Sequence, residues 1–255
     1  MNAKKRFGQN FLHSTSVIEN IVSAVAPQQH DRILEIGPGK GSLTRLLAKR
    51  TEHLIVIEID RDLIPILEKE LPAEVNIINA DILEYPIEKL PSPLRIVGNL
   101  PYNISTPLLF RLFNYPEQLT DMTLMLQAEV VERMVAAPGS RVYGRLSVMT
   151  QYYCQVEKIL AVPASAFTPR PKVESAVARL QPHKQKPFNA EDITLLGEIL
   201  LRAFGQRRKT IRNSLSPFLS PDDLKCIGLD PKLRAENLSV ADFTECANFV
   251  SRKKQ

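Results

Sequence analysis

Apolar residues in this chain fall into short runs of two kinds. Between Ser14 and Ala26 they stand at 17, 18, 21, 22 and 25 behind a Ser/Thr cluster, the spacing of an amphipathic helix with a capped start. Strand-like apolar-rich runs then recur near 32–36, 54–58, 75–80, 94–98 and 121–127, with helix-spaced segments between them as far as about Val135. Their alternation with helices predicts a parallel α/β sheet. Helical spacing returns after Gly144 and lasts to about Tyr153. Val156–Val162 and Val173–Leu180 read as two more strands joined by the proline-rich stretch Pro163–Pro171. They predict an antiparallel hairpin at the sheet edge, where a dehydrogenase would continue the parallel pattern. Gln181–Pro187, with two Pro and two Lys, reads as a linker, and beyond it Leu195, Leu196, Ile199, Leu200 and Phe204 resume helical spacing. The expected organisation is a sheet domain over 1–183, including an N-terminal arm, and a small helical domain over 184–255.

The ends of the strand-like runs carry the polar residues. Arg32–Ile36 is broken by Gly37-Pro38-Gly39-Lys40-Gly41, after which Ser42–Ala48 has helical spacing. A strand, a glycine turn and a helix N-terminus follow from that order, and glycines there let backbone N–H groups approach a ligand closely. Ser42 stands where a dinucleotide fingerprint carries its third Gly, and Glu35 precedes the turn. The loop therefore resembles the E-x-G-x-G-x-G loop of S-adenosylmethionine (SAM) enzymes more than an NAD site. The run 53–57 ends at Glu58-Ile59-Asp60, and Glu58 lies 21 residues beyond Gly37, the separation at which an acid meets ribose hydroxyls in this architecture. The run 75–80 ends at Asp81 and the run 94–97 at Asn99. One acid at a strand end is ordinary solvated charge. Three successive strands ending in a carboxylate or amide predict a nucleotide-like ligand at the carboxyl edge of the sheet.

Asn99-Leu100-Pro101-Tyr102 is a compact tool for an exocyclic amine. The Asn side chain and the Leu100 carbonyl can each accept a hydrogen bond from an NH2 group, Pro101 has no N–H to compete, and the Tyr ring offers a face for an aromatic base. This segment resembles the motif of enzymes that methylate adenine N6 or a similar base nitrogen, although Pro-Tyr after a strand is also an ordinary turn with a packed aromatic.

Composition narrows the setting. The 255 residues are 44% hydrophobic, enough for a good core in one large domain and a small one. No stretch of about 18 apolar residues occurs and the N-terminus is polar and basic, so a cytoplasmic protein without membrane attachment is expected. Cys154, Cys226 and Cys246 are odd in number and scattered, as are His13, His30, His53 and His183, and neither disulfides nor a metal site are expected. The net charge of +5 is unevenly held. From Lys184 onward there are 13 Lys and Arg against 9 Asp and Glu, and Lys4, Lys5 and Arg6 stand together at the front. Arg202, Arg207, Arg208, Lys209 and Arg212 have no acid among them, and the i, i+4 pair Arg208 and Arg212 predicts one strongly basic helix face. Phosphate contact is the expected use of such a face, and pairing with acids such as Asp222 and Asp223 is the structural alternative.

Taken together, these residues carry a resemblance over nearly the whole chain. Gly8–Leu12, Glu35–Gly41, Glu58, Asp81, Asn99–Tyr102, Glu129–Ser147, Phe167–Val173 and Arg207–Thr210 are similar to the rRNA adenine N6,N6-dimethyltransferase family, in particular its bacterial small-subunit (16S) type. The resemblance implies the class I SAM-dependent methyltransferase fold, a Rossmann-like sheet with a terminal antiparallel hairpin, plus a small C-terminal α-helical domain. It implies dimethylation of two adjacent adenines near the 3′ end of 16S rRNA in the small ribosomal subunit, by a monomer, with a role in ribosome assembly and no DNA substrate. Position by position, it implies SAM contacts at Asn10, Leu12, Gly37, Gly39, Glu58, Asp81 and Asn99. Asn99, Leu100 and Tyr102 are implied to hold the target amine and base, with Phe167 as the second aromatic. RNA contacts are expected at Lys4, Lys5, Arg6, Arg207, Arg208, Lys209, Arg212 and Arg234. Phe7 and Phe11 in the arm fit either a staple for the first helix or a lid over SAM. Two other functions fit the same residues: a large-subunit (23S) rRNA adenine methyltransferase of the macrolide-resistance type, and an RNA-binding assembly factor on a methyltransferase fold. Arg234-Ala235-Glu236-Asn237-Leu238 favours the small-subunit type.

Overall fold

A computed structural model describes residues 9–101 and 103–254. Its strands are β1 (Phe11–Leu12), β2 (Arg32–Ile36), β3 (His53–Glu58), β4 (Asn76–Asn79), β5 (Leu94–Asn99), β6 (Leu119–Gln127), β7 (Cys154–Val162), β8 (Phe167–Thr168) and β9 (Ser175–Pro182). The α-helices are α1 (Thr15–Val25), α2 (Thr44–Leu47), α3 (Ile64–Glu70), α4 (Ser105–Leu112), α5 (Ala128–Val135), α6 (Arg145–Tyr153), α7 (Ile193–Gly205), α8 (Ile211–Ser214), α9 (Pro221–Cys226) and α10 (Val240–Lys254). Contacts divide the chain into two units, one of residues 1–131 and 157–182, the other of 132–156 and 183–255. The expected boundary at 183/184 meets the point where the chain re-enters the second unit. The segment 132–156, placed with the sheet by sequence, packs instead with the C-terminal helices.

In the first unit seven strands form one sheet in the order β4-β3-β2-β5-β6-β9-β7. Adjacent strands from β4 to β6 are parallel, and β9 runs antiparallel to β6 between it and the edge strand β7. The terminal reversal expected from the proline-rich connection is present, and that connection also carries the two-residue β8, which pairs antiparallel with β1. Strand order reverses about β2, so the carboxyl ends of β2 and β5 face a crevice at the switch point. Fully buried Ile33, Leu34, Val56, Ile96 and Val97 explain why the strands read as apolar-rich runs. The helix predicted over 14–26 is α1, which buries Val17, Ile21, Val22 and Val25 and ends where Ala26 turns left-handed at φ +49°.

The second unit is helical apart from the start of β7. Its centre holds Tyr143 edge-on to Phe204 at 5.9 Å, with the Phe204 and Phe243 rings 5.5 Å apart. Asp192 caps α7, its Oδ1 accepting from the N–H groups of Thr194 and Leu195 at 2.9 and 3.0 Å. No described helix is long and apolar enough to cross a membrane.

Candidate active site

The carboxyl ends of the central strands open into a cavity of about 330 Å³ in the first unit. Asn10, Leu12, Gly37, Gly39, Glu58, Asp81, Asn99, Leu100 and Phe167, all singled out from sequence, line it together. Tyr102, Lys4, Lys5, Arg6 and Phe7 lie outside the described residues.

The glycine turn after β2 is locked onto the neighbouring strand, with the Gly37 N–H donating to the Ile57 carbonyl at 2.9 Å. Gly39 has φ +60°, and a side chain there would also meet the Phe11 ring, since an added Cβ lies 3.2 Å from its Cδ1. Glycine at 39 thus serves both the turn and the approach of the arm. At the end of β3, Glu58 is 4% exposed; its Oε2 accepts the Gly39 N–H at 3.1 Å and its Oε1 the Asp60 N–H at 2.9 Å. Burial pushes its carboxyl above the usual range, and these two hydrogen bonds oppose the shift. A carboxylate has about four acceptor positions, so it retains capacity for a further donor. The end of β4 is tied to β3 by the Ala80 N–H to the Glu58 carbonyl at 3.1 Å. Asp81 follows, its Oδ1 taking the Leu83 N–H at 2.8 Å.

At the end of β5, Gly98 is required by space, because an added Cβ would lie 2.9 Å from the Ile36 carbonyl oxygen. The Asn99 amide then reaches the arm, its Nδ2 donating to the Asn10 carbonyl at 3.1 Å. A carbonyl can only accept, so this bond fixes which end of the amide is NH2 and leaves Oδ1 as an acceptor. The Leu100 N–H is spent on the Met125 carbonyl at 3.1 Å, while its own carbonyl receives no bond from a described residue. Both residues line the cavity, and each retains an acceptor not bonded by a described residue.

The described part of the arm, from Gln9 onward, lines this site and is fastened at several points. Gln9 Nε2 donates to Asp60 Oδ2 at 2.8 Å, Ser42 Oγ to the Leu12 carbonyl at 2.7 Å, and the His13 N–H to the Ala166 carbonyl at 3.0 Å. The register pairs Leu12 with Phe167. Phe11 lines the cavity against the glycine turn, with Lys40 Nζ 4.8 Å from its ring centre, which is a lid's position. Phe167 lines the cavity and belongs to the buried cluster around Leu12 and Val177, so packing and cavity wall are one role.

Sequence reasoning passed over several lining residues. Glu35 was read only as part of the loop pattern, yet it is 1% exposed at the cavity wall, and burial followed by the Glu58 charge pushes its carboxyl up to about 7. A nearby Thr44 hydroxyl opposes that shift without completing a hydrogen bond to Oε2. Ile59 lines the cavity while 42% exposed, and buried Ile82 also lines it. The signal available for both was position, each directly following a strand-end acid. Among the described residues no group of three metal-ligating side chains occurs.

The basic residues lie in the second unit, and two expectations change. Arg208 and Arg212 share no helix, because α7 ends at Gly205 and α8 begins at Ile211. The cluster forms through a bridge between Thr210 and Arg234, with the Ile211 N–H on the Leu233 carbonyl at 2.7 Å. Arg208, Lys209, Arg212 and Arg234 are exposed there, joined by Lys232, which sequence reasoning missed. Arg207 is engaged within the protein: Nη2 donates to the carbonyls of Arg141 at 2.8 Å and Tyr143 at 3.0 Å and meets Glu236 Oε2 at 3.3 Å. Asp222 and Asp223 pair with Lys225 and Lys253, at 3.0 and 2.8 Å, leaving them out of the basic cluster.

Residues 1–252 match the family model described as ribosomal RNA adenine dimethylase. A protein of Citrobacter koseri named ribosomal RNA small subunit methyltransferase A is 52% identical over 255 residues, covering 98% of this chain and 93% of the relative. Its namesake in Proteus mirabilis is 49% identical, covering 99% and 95%. The crystal structure of a dimethyladenosine transferase from Plasmodium falciparum superposes with a TM-score of 0.84 at 25% identity, covering 96% of this chain and 98% of that one. The 23S rRNA methyltransferase ErmE shares the fold, with a TM-score of 0.75 at 24% identity and coverage of 96% and 100%. The chain belongs to the ribosomal RNA adenine dimethylase family.

Proposed function

We propose that this protein transfers methyl groups from SAM to the N6 nitrogens of two adjacent adenines near the 3′ end of small-subunit rRNA. The observation that carries this reading is a pair of acceptors, Asn99 Oδ1 and the Leu100 carbonyl, with no bond from a described residue, on residues lining a cavity walled by a glycine turn and strand-end acids.

The cavity residues suit SAM as donor. Buried Glu58 retains acceptor capacity for a ribose hydroxyl, the glycine turn admits close approach, and Asp81 stands just beyond the next strand, between Ala80 and Ile82. When bound, SAM supplies a methyl group already activated by its sulfonium. The protein's task is then alignment, whose entropic contribution can reach ~7–11 kcal/mol. The lone pair of adenine N6 is delocalised into its ring. Two acceptors that take both N–H bonds hold the nitrogen toward a pyramidal geometry, and the positive charge that grows on it is met by the same two oxygens. No imidazole lines the described cavity, in keeping with a reaction driven by acceptors rather than by a general base. An adenine inside a helix cannot reach such a site, so the base is taken unstacked, with Phe167 as one wall. The exposed cations of the second unit supply phosphate contacts. The small subunit is favoured over the large by relatives of that name at about half identity over the whole chain.

Tritium transfer from labelled SAM to unmethylated small subunits, large subunits and naked RNA, followed by mapping of the modified bases, tests the reading. Label on two adjacent adenines of the small-subunit RNA is the expected result; label confined to the large subunit overturns it.

A further inference from the structure

Arg207 reads from sequence as one more phosphate-binding cation, and the structure gives it other work. Three acceptors surround its Nη2: the carbonyls of Arg141 and Tyr143 and the carboxylate of Glu236. A phosphate approaching this guanidinium would also meet the Glu236 charge 3.3 Å from it, whereas Arg208 and Lys209 make no ion pair with a described residue. The bonds of its Nη2 suit Arg207 to bracing the chain.

What it braces is the segment 139–143. The Gly139 N–H donates to the Glu236 carbonyl at 2.6 Å, so both the backbone and the side chain of Glu236 take part in the bracket. At the other end the Tyr143 ring is fully buried against Phe204. Between these anchors the chain presents Arg141, exposed and with no ion pair to a described residue, and Val142, 42% exposed, one of five large apolar side chains so placed among the described residues. A cation beside an uncovered apolar group on a rigidly held turn matches a nucleic-acid backbone, which offers a phosphate next to an apolar sugar or base face.

We propose that residues 141–142 form an RNA-contact turn, Arg141 on a phosphate and Val142 on the adjoining sugar or base, and that Arg207 is its positioning residue rather than an RNA contact. This rests on the reading of the protein as an rRNA methyltransferase. Arg207 holds Arg141 by its main chain, so the side chain of Arg141 remains free for the partner.

The test is equilibrium binding of the full-length protein to purified small subunits and to naked 16S rRNA across a salt series. Arg141→Gln should lower the slope of log K against log[salt] by about 0.7–0.9 unit, the same loss expected for Arg208→Gln. Arg207→Lys keeps the charge but not the three-way bracket. It should reproduce the Arg141→Gln loss, and the double variant should be no worse than Arg207→Lys alone. Unchanged melting of Arg141→Gln separates lost contact from unfolding. A parental slope for Arg207→Lys, with a full unit lost only in Arg207→Gln, overturns the positioning role. Parental binding by Arg141→Gln, or a loss seen with subunits and absent with naked RNA, overturns the RNA turn, the latter by pointing to a ribosomal protein. Failure of the parent to methylate small subunits is a separate outcome and sinks the reading beneath the proposal as well.

Discussion

The side-chain amide of Asn99 donates to the main-chain carbonyl of Asn10, 3.1 Å away and 89 residues earlier in the chain. The bond sets the amide's orientation, and with it the presence of an acceptor at the cavity edge. Asn10 sits in an arm segment fastened to Asp60, Ser42 and Ala166, so the same strap that lines the cavity also orients Asn99, the residue proposed to meet the target amine. The arm thereby links the proposed cofactor and target sites.

Glu58→Gln should weaken SAM binding by about 10–100-fold, corresponding to one lost charge-assisted hydrogen bond. Both carboxylate oxygens already accept backbone N–H groups, so a Gln must turn its NH2 toward one of these donors. Calorimetry with SAM checks this, and RNA affinity measured alongside should not move. Unaltered SAM affinity would place the ribose contact elsewhere.

Glu35 should make stability fall with rising pH. Its carboxyl titrates at about 7 in the folded protein against an ordinary 4.5. Below 4.5 both states hold the proton and nothing is lost. From there to 7 the unfolded chain ionises while the native one does not, and up to about 3 kcal/mol of stability disappears, constant at higher pH. Urea unfolding at pH 5 and pH 8 should show that drop in the parent and not in Glu35→Gln; parallel curves would contradict the buried carboxyl.

Replacing Arg208, Lys209, Arg212 and Arg234 together by Gln should flatten the salt dependence of RNA binding by about 3 units, one phosphate each, with SAM affinity unchanged. Each is exposed, and none is in the cavity wall. Loss of thermal stability with an unchanged slope would instead mean that the cluster serves the fold.

The ends of β3 and β5 were legible because buried parallel strands read as apolar runs, and the polar residue closing each, Glu58 or Asn99, lines the cavity. Asp81 lines it too, two residues beyond the edge strand β4, which is only partly buried and carries Asn at both ends. The runs read at 32–36 and 94–98 match β2 and β5 within one residue. The basic region was legible as charge and not as shape. Gly205 ends α7, and the cations meet through the Thr210–Arg234 bridge, a contact between loops that no period announces. The role of Arg207 was hidden for a related reason, since its partners are main-chain carbonyls 64 and 66 residues away and a carbonyl has no sequence signature. The segment 132–156 joined the second unit because its apolar face, including Leu146 and Met149, fits helices that follow it by forty residues or more. The arm's closure over the cavity lies in bonds to main-chain atoms and in the Phe11–Gly39 approach, and the sequence left lid and staple equally open.

The central claim is that Asn99 Oδ1 accepts from an amine that gains charge only during transfer. Single-turnover methyl transfer by Asn99→Ala, with SAM affinity measured on the same preparation, tests it most directly. A rate reduced on the order of 100–1000-fold, as for a lost oxyanion-hole donor, with SAM affinity largely kept, is the predicted result. A transfer rate equal to that of the parent would contradict the account.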